Sequence, residues 1–407
     1  MSEKLPKGWQ RFYFGEAVQI ATGQVDPKQK PYSQMLHIGP ENIESGTGNI
    51  TNVKYCAELG LISGKYLFDE HSIIYSKIRP NLNKACMPNF KGVCSADTYP
   101  LWPRDRLILL PEYLLLFILT QKFTKQAIAA SKRTGMPKIN REDLNAIEII
   151  LPPLHEQKII IKVVSTWDAA ITCAQTLLDN SRQQKKALMQ QLLTGRRRLS
   201  GFNGEWRQQS IQSFSQNSSK KNIKSEQLPV LSCSKHYGFI DSLEYFKKKI
   251  FSNNLSTYKI ICRGEFGYPA NHIEEGAIGY QNKYPRALVS PIYIVFKLNE
   301  QVDANFVYSI LKTDSYRQKF STATSASVDR RGSLRWPEFS KIKIFLPPLD
   351  EQKAIARILT AADALIAQYE ARLAHLQMQK KALMQQLLTG KIRVTPDTLG
   401  DARETPA

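Results

Sequence analysis

The sequence is poor in the patterns that mark secreted, zinc-binding and membrane proteins. Its longest apolar run, residues 113–119, is far shorter than the roughly 18 residues needed to span a bilayer, and its start lacks an apolar signal core. Its cysteines form no Cys-x-x-Cys pair, which excludes a zinc ribbon and gives no disulfide framework: Cys56, Cys86, Cys94, Cys173, Cys233 and Cys262. We therefore expect a soluble cytoplasmic protein with reduced thiols and no membrane partner.

Catalytic signatures are also missing. A DNA amino-methyltransferase needs Asn or Asp before Pro-Pro-aromatic and a glycine-rich cofactor loop, but both Pro-Pro pairs here are flanked by Leu. The nearest approach to a phosphate-binding loop, residues 60–66, is one residue short and ends in Tyr66. No nuclease cluster stands out, and the six histidines have no metal-ligand spacing. The sequence predicts no catalytic residue, no metal site and no cofactor bound by this chain.

Charge points to a polyanionic partner. The 407 residues carry 56 Lys and Arg against 36 Asp and Glu, a formal net charge of +20. Such an excess favours double-stranded DNA, although a basic surface that serves only solubility is the alternative. The length suggests two to four domains.

An internal repeat organises the chain. At an offset of 195 residues, the segment Leu-Pro-Pro-Leu-x-Glu-Gln-Lys starting at Leu151 recurs at Leu346, and the eleven residues 185–195 recur unchanged as 380–390. About 24 of the 45 aligned positions are identical, so the chain is a tandem duplication.

Each repeat end is predicted to be one long helix. Pro-Pro followed by Glu and Gln marks a start, and Gly195 and Gly390 stand where left-handed caps belong. Both segments carry a heptad seam, which predicts an antiparallel coiled coil on the order of 60 Å long because one domain must join the end of the first helix to the start of the second. The seam includes Val164, Trp167, Ile171, Leu178, Leu188, Leu192, Leu359, Ile366, Tyr369, Leu373, Leu383 and Leu387.

The expected fold is α+β, with two recognition domains separated by two long antiparallel coiled-coil helices in a pseudo-two-fold repeat. Each globular stretch has short alternating strands and one helix-like segment, residues 112–131 and 304–319. The predicted boundaries are 1–150 (domain 1), 151–198 (helix 1), 199–345 (domain 2), 346–392 (helix 2) and 393–407 (tail).

A second apolar stripe lies beside each seam. It includes Val163, Ala170 and Leu177 on the first helix and Ile358 and Leu365 on the second. An over-wide apolar face can pack against the globular domains or recruit helices from another subunit, and both readings stay open.

Candidate DNA contacts combine basic, amide and aromatic side chains in expected loops, where Arg can bind guanine and Asn adenine. Any one such loop is more often simply solvated, but the combination occurs in both halves. In domain 1 the candidates are Lys77, Arg79, Asn81, Lys84, Lys132, Arg133 and Lys138. In domain 2 they are Tyr268, Asn271, Tyr280, Lys283, Tyr284, Arg286, Arg330, Arg331 and Arg335.

The repeated Leu-Pro-Pro-Leu-x-Glu-Gln, the Lys-Lys-Ala-Leu-Met-Gln-Gln-Leu-Leu-Thr-Gly run and the opening Leu-Pro-x-Gly-Trp resemble the specificity subunit of type I restriction enzymes. The resemblance implies a non-catalytic subunit whose domains each read half of a split, asymmetric DNA site while the helices set the gap. It also implies two modification methyltransferase subunits and motor-nuclease subunits as partners, which would bind S-adenosylmethionine, ATP and Mg²⁺. Base-contacting residues cannot be carried over, because recognition domains vary widely in this family.

Two other functions remain open from the residues alone. One is a stand-alone DNA-binding or regulatory protein, and the other is a coiled-coil scaffold without a nucleic-acid role. Co-purification with a methyltransferase would distinguish a specificity subunit from both of these alternatives.

Overall fold

The structure, a computed structural model, describes residues 5–131, 137–325 and 333–394. The chain divides into two compact units: unit 1 is Met1–Gln175 with Ala371–Ala407, and unit 2 is Thr176–Glu370. Each unit therefore holds one globular domain together with half of each long helix. No helix in the described ranges is long and apolar enough to cross a membrane.

The globular domain of unit 1 is built from short strands and helices. Its strands are β1 (Gln10–Tyr13), β2 (Val18–Ile20), β3 (Leu36–Ile38), β4 (Lys54–Tyr55), β5 (Tyr66–Phe68), β6 (Ile73–Ser76), β7 (Ala85–Cys86), β8 (Gly92–Cys94), β9 (Thr98–Pro103) and β10 (Glu148–Leu151). Its helices are α1 (Phe14–Ala17), α2 (Cys56–Leu59), α3 (Pro111–Ile118), α4 (Gln121–Ala130) and α5 (Arg141–Asn145). The long helix α6 (Leu154–Leu192) follows.

The globular domain of unit 2 has a similar inventory. Its strands are β11 (Arg207–Ser210), β12 (Ser215–Asn217), β13 (Lys220–Lys221), β14 (Leu231–Ser234), β15 (Gly238–Asp241), β16 (Lys259–Cys262), β17 (Glu265–Pro269), β18 (Gly279–Tyr280), β19 (Arg286–Val289), β20 (Tyr293–Leu298) and β21 (Lys343–Leu346). Its helices are α7 (Ser242–Phe246), α8 (Ala304–Leu311), α9 (Asp314–Ser325) and α10 (Trp336–Ser340), and the long helix α11 (Leu349–Leu387) follows.

The two domains share one topology. Unit 1 has a sheet of order β2-β9-β6-β7, and unit 2 has β12-β20-β17-β18, in which each strand is the counterpart of the one in the same place. Beside it, antiparallel β5 and β8 correspond to antiparallel β16 and β19. The parallel pair β3 and β8 has its counterpart in the parallel bridge between Val230 and Leu288. The duplication therefore extends through the domain interiors, where the sequences no longer show it.

Two aromatic-rich cores hold the domains to their helices. In unit 1, buried Phe14, Tyr113 and Phe123 share a core with Leu387, the last residue of α11, and with Leu388, which follows it. In unit 2, Leu192 at the end of α6 and the following Leu193 occupy the same place in the core around Phe306, Phe320 and Phe339. Burying one such side chain contributes roughly 1.5–3 kcal/mol of transfer free energy, so each helix end is anchored to a domain.

A buried glutamate joins the start of each long helix to its domain. In unit 1, Trp9 Nε1 donates to Glu156 Oε2 at 3.0 Å, and Arg393 donates to both carboxylate oxygens at 3.2 and 2.9 Å. The next residue, Gln157, donates to the carbonyl oxygens of Ile108 and Pro152 at 2.7 and 2.9 Å. These contacts satisfy polar groups that burial would otherwise leave unpaired.

Unit 2 repeats the tryptophan, arginine and proline-carbonyl contacts of this arrangement. Trp206 Nε1 donates to Glu351 Oε2 at 3.2 Å, and Arg198 binds the same carboxylate through two hydrogen bonds of 2.6 Å. Gln352 donates to the carbonyl oxygen of Pro347 at 2.8 Å and accepts from the Asp303 backbone at 2.9 Å. The repeated Glu-Gln is thus a tie between helix and domain as well as a helix-start signal.

Within each unit the two helix halves pair antiparallel. In unit 1, Glu156 pairs with Arg393 and Asp168 pairs with Lys380, so residues later in α6 meet residues earlier in the second helical segment. In unit 2, the pairs Arg182–Glu370, Lys185–Asp363 and Arg198–Glu351 follow the same order. The predicted seam positions are buried or half-buried, and the flanking positions face solvent. Gly195 and Gly390 have φ of 69° and 70°, which confirms the predicted left-handed conformation at both ends.

The prediction of one helix-like segment in each domain is wrong in one respect, because each segment forms two helices. In unit 1 the break falls at Thr120, whose Oγ1 accepts from the Phe123 backbone at 3.1 Å and caps α4. In unit 2, α8 ends at Leu311 and α9 begins at Asp314. An apolar run continuing through a threonine concealed the break, because Thr is acceptable both in a helix and as its cap.

Candidate nucleic-acid interface

The first candidate loop of domain 1 leaves strand β6 and is conformationally constrained. A 3-10 turn, Pro80–Leu82, lies between Arg79 and Asn83, which have left-handed φ of 49° and 43°. Residues other than glycine rarely adopt this backbone conformation, which costs on the order of 1 kcal/mol per residue. The loop is therefore held in a strained shape, which is common where a protein presents side chains to a ligand.

The structure brings the two candidate segments of domain 1 together. The Arg79 backbone N–H donates to the Pro137 carbonyl at 2.8 Å, and the Ile139 N–H donates to the Lys77 carbonyl at 2.9 Å. Lys138 is exposed beside this junction. Lys132 and Arg133, also predicted here, lie outside the described residues.

The basic side chains of this loop differ in their freedom. Lys77 is buried with its Nζ 4.8 Å from the Tyr99 ring centroid, and burial lowers the pKa of its ammonium group. Lys84 Nζ donates to the Pro40 carbonyl oxygen at 2.6 Å, so it ties two loops together. Arg79 and Asn81 are exposed. Arg79, Asn81 and Lys138 are consequently the members of this set whose side chains are exposed and accessible to DNA.

Domain 2 has its equivalent loop in the same place. Strand β17, the counterpart of β6, leads to the 3-10 turn Ile273–Glu275, and the Leu334 N–H donates to the Ala270 carbonyl at 2.7 Å, as Ile139 does to Lys77. Asn271, just before this turn, and Arg335 are therefore next in sequence to the same backbone contact between Ala270 and Leu334. Arg335 is exposed, whereas Arg330 and Arg331 lie outside the described residues.

Tyr268 belongs to the core. It is fully buried, with its ring centroid 4.6 Å from that of Phe339, and its counterpart in domain 1 is the fully buried Tyr75. We therefore assign Tyr268 no DNA contact. Asn271, three residues later, is half-buried at the loop entrance, and its Oδ1 has no hydrogen-bond partner in the described structure.

The remaining candidate segment connects β18 to β19 in domain 2. Its backbone is fixed by buried Gln281, whose Oε1 accepts from the Lys283 and Tyr284 backbone at 2.7 and 3.0 Å. Lys283 is exposed, with its Nζ 3.6 Å from Glu244 and 5.5 Å from the Tyr284 ring. Arg286 makes two hydrogen bonds to Glu226, at 2.6 and 3.0 Å. Half-buried Tyr280 packs with its ring centroid 4.8 Å from that of Phe266.

Sequence reasoning missed one exposed basic element beside these loops. The segment Tyr245-Phe246-Lys247-Lys248-Lys249 ends helix α7 and follows it, and all five residues are exposed. Three consecutive lysines after two aromatic residues are a visible signal in the sequence, and the structure adds that none of the five is buried.

The described residues contain one cluster with metal-ligand geometry. His272, Glu274 and Glu275 have ligand atoms within 4.8 Å of one another. His272 and Glu275 are exposed, and exposed acidic groups often cluster without a cation. We assign no metal here.

The comparisons with known proteins decide the family. The model of the type I restriction modification DNA specificity domain matches residues 6–180 and again residues 205–378. The chain belongs to this family. The predicted resemblance is therefore confirmed, and so are the two tandem recognition domains of mixed α+β class joined through long helices. Membership also confirms the role of the chain as a DNA-specificity subunit that performs no catalytic step itself.

Individual relatives agree. The specificity subunit of the type I restriction enzyme EcoDI from Escherichia coli is 34% identical over 189 residues, which are 46% of this chain and 41% of that subunit. The MjaVIII specificity subunit from Methanocaldococcus jannaschii is 25% identical over 343 residues, 75% of each chain. A solved chain from work on complex assembly and conformational transition of the type I R-M system superposes with a TM-score of 0.60 at 18% identity, covering 96% of this chain and all of that one.

Proposed function

We propose that the chain reads a split DNA site, with domain 1 (residues 1–150) binding one half and domain 2 (199–345) the other. The observation that carries this proposal is the equivalence of the loops after β6 and β17. Both leave the same strand of the same sheet, both contain a 3-10 turn, and both are held by a backbone hydrogen bond from the segment before the last short helix. One scaffold with two diverged loop sets suits two different half-sites.

Domain 1 would contact DNA through Arg79, Asn81, Lys138 and the neighbouring Lys132 and Arg133. Domain 2 would use Asn271, Lys283, Tyr284 and the arginines at 286, 330, 331 and 335. Arg286 would exchange its half-buried Glu226 partner for a phosphate or base. Lys77, Lys84 and Tyr280 would stabilise these loops through contacts within the domain and would not bind DNA themselves.

The helices would serve as spacer and docking surface. Segments 151–198 and 346–392 would fix the gap between half-sites, and their outer faces would bind two methyltransferase subunits, with motor-nuclease subunits joining through them. Leu177, Leu365 and Met378 support the docking role because they are exposed large apolar side chains on these helices. Leu193 and Leu388, by contrast, pack into the domain cores. S-adenosylmethionine, ATP and Mg²⁺ would be bound by the partners, and the complex would act in the cytoplasm.

Co-expression with the methyltransferase subunit tests the proposal. The full chain should co-purify with it, and the host genome should acquire methylated adenines in one two-part motif. DNA binding by the chain without any methyltransferase association would instead support a stand-alone regulator, and neither activity would support a scaffold. Leu177→Asp with Leu365→Asp should reduce co-purification, while Gln183→Asp, at an exposed polar position on a different face of α6, serves as the control.

A further inference from the structure

One segment of unit 2 is exposed from end to end although half of it is apolar. Residues 243–250 read Leu-Glu-Tyr-Phe-Lys-Lys-Lys-Ile, and we call them the basic-aromatic segment. Leu243, Tyr245, Phe246 and Ile250 are 51%, 48%, 39% and 48% exposed. Soluble proteins rarely leave so many large apolar side chains together in water unless a partner covers them.

The segment is fixed in place by the fold. The Asp241 carboxylate caps helix α7 by accepting from the backbone of Leu243 and Glu244 at 2.9 and 3.3 Å. Lys247 ends the helix in a left-handed conformation, with φ of 53°, and its N–H donates to the Leu243 carbonyl at 2.9 Å. The rings of Tyr245 and Phe246 meet edge to face, 4.8 Å apart. A pre-formed surface of this kind loses little conformational entropy when it binds.

Its charge indicates which partner it fits. Lys247 and Lys248 make no side-chain hydrogen bond or ion pair with any residue that the structure describes, and Lys249 donates to the neutral amide of Asn253 at 2.5 Å. The one acidic member, Glu244, faces Lys283 at 3.6 Å. Three adjacent ammonium groups without acidic partners favour a polyanion over an ordinary protein surface.

The segment also adjoins one of the candidate DNA-binding segments of domain 2. The Glu244–Lys283 contact joins it to the segment between β18 and β19. The basic-aromatic segment is therefore next to the candidate segment that carries Lys283 and Tyr284.

Domain 1 has no basic counterpart at this position. Its equivalent stretch between β3 and β5, residues 39–65, carries Glu41, Glu44 and Glu58 against Lys54 and Lys65. Lys65 is buried, and its Nζ donates to the Ser63 carbonyl and hydroxyl oxygens at 2.6 and 2.7 Å. The stretch is thus slightly acidic where domain 2 is basic.

We propose that the basic-aromatic segment is a sequence-independent DNA clamp of domain 2, in which Lys247, Lys248 and Lys249 bind backbone phosphates and Tyr245 and Phe246 pack against the sugars. The inference rests on the proposed DNA-reading function and adds an asymmetry to it. Domain 2 holds the duplex through extra phosphate contacts, and domain 1 depends on its reading loops.

The test measures binding of the full chain, in complex with its methyltransferase, to a duplex carrying the methylated motif, across a range of salt concentrations. Each phosphate contact contributes about 0.9 to the slope of log affinity against log salt, so Lys247→Ala, Lys248→Ala and Lys249→Ala together should reduce the slope by about 2 to 3. The relative preference for the motif over unrelated DNA should not change. Tyr245→Ala with Phe246→Ala should weaken binding roughly tenfold and leave the slope intact. Lys297→Ala, Lys341→Ala and Lys343→Ala remove the same charge elsewhere in domain 2 and should change the slope by less.

Failure of this inference differs from failure of the proposed function. If the unmodified complex binds no DNA, the DNA-reading function itself is wrong. If it binds DNA and the 247–249 variant has the slope of the control variant, the clamp is wrong. A variant that binds DNA normally but releases the methyltransferase would show that the segment docks protein, which also overturns the clamp.

Discussion

Lys185 of α6 forms an ion pair with Asp363 of α11 in unit 2, and the repeat places the same pair in unit 1 as Lys380 and Asp168. Both lysines occupy seam positions, with side chains only 24% and 17% exposed. A lysine in an otherwise apolar seam commonly fixes the register of two helices at some cost in stability. The duplicated pair therefore aligns the helix halves within each unit.

Replacing both seam lysines should stabilise the protein. Lys185→Leu with Lys380→Leu exchanges two half-buried charges for apolar packing, and we expect urea unfolding of the full chain to show a gain of about 1 kcal/mol per site. The neighbouring exposed lysines give the control, because Lys186→Leu with Lys381→Leu should bring no gain. A loss of stability in the seam variant would mean that the ion pairs are net stabilisers.

His37 should make domain 1 sensitive to acid. It is buried on β3 with neither ring nitrogen hydrogen-bonded in the described structure, and burial lowers its pKa, aided by Lys65 and opposed by Glu41. Because the unfolded chain then takes up a proton near pH 6.5 while the folded chain resists it, stability should fall as pH drops below about 6.5. His37→Leu should flatten the decline of Tm between pH 7.5 and 5.5, and His375→Gln, exposed on α11, should not. Parallel declines in all three proteins would exclude His37 as the cause.

Arg79 should separate binding from folding. Its left-handed backbone is strained, so Arg79→Gly should raise stability by up to about 1 kcal/mol while removing the exposed guanidinium. DNA binding by the assembled complex should weaken, and Arg79→Lys should restore only part of it because lysine cannot make the forked contact. Unchanged affinity in the glycine variant would remove this loop from the interface.

The sequence predicts the long helices better than it predicts the domains. The repeated seam from Ile160 to Leu192 made the long helices predictable, since burial at intervals of three and four residues leaves a direct pattern. The shared topology of the domains was not predictable, because only the pattern of backbone pairing is kept while side chains have diverged. In the sequence, Glu156 and Gln157 indicate only a helix start, whereas their buried contacts to Trp9 and the Pro152 carbonyl depend on the folded chain.

Among the candidate site residues, the sequence identified loops better than side chains. Both domain 2 loops exist, but Tyr268 lies in the core, since an aromatic residue before a loop reads the same whether it faces inward or outward. Lys84 lies in a basic segment typical of DNA contacts, but its ammonium group instead donates to the Pro40 carbonyl oxygen. Composition cannot distinguish these roles because the same ammonium group serves either a carbonyl oxygen or a phosphate.

Shortening both helices tests whether they set the gap between half-sites. Removing residues 171–177 and 366–372 deletes one heptad from each seam, so pairing should survive with rods about 10 Å shorter. That equals roughly three base pairs and a rotation of about 100° around the duplex. The variant should fold and bind methyltransferase yet lose methylation of the original motif, with any recovered activity on a shorter-gapped site. Full methylation of the original motif would show that the helices do not set the spacing.

The central claim, that the two domains read independently, is tested most directly by exchanging one of them. Residues 1–150 are replaced by the corresponding segment of a relative with a different motif, the chimera is expressed with its methyltransferase, and the methylated genome is sequenced. One half of the motif should change to that of the relative, while the other half and the gap between them stay as they were. A motif altered in both halves would contradict the account, because it would mean that the two domains form a single reading surface.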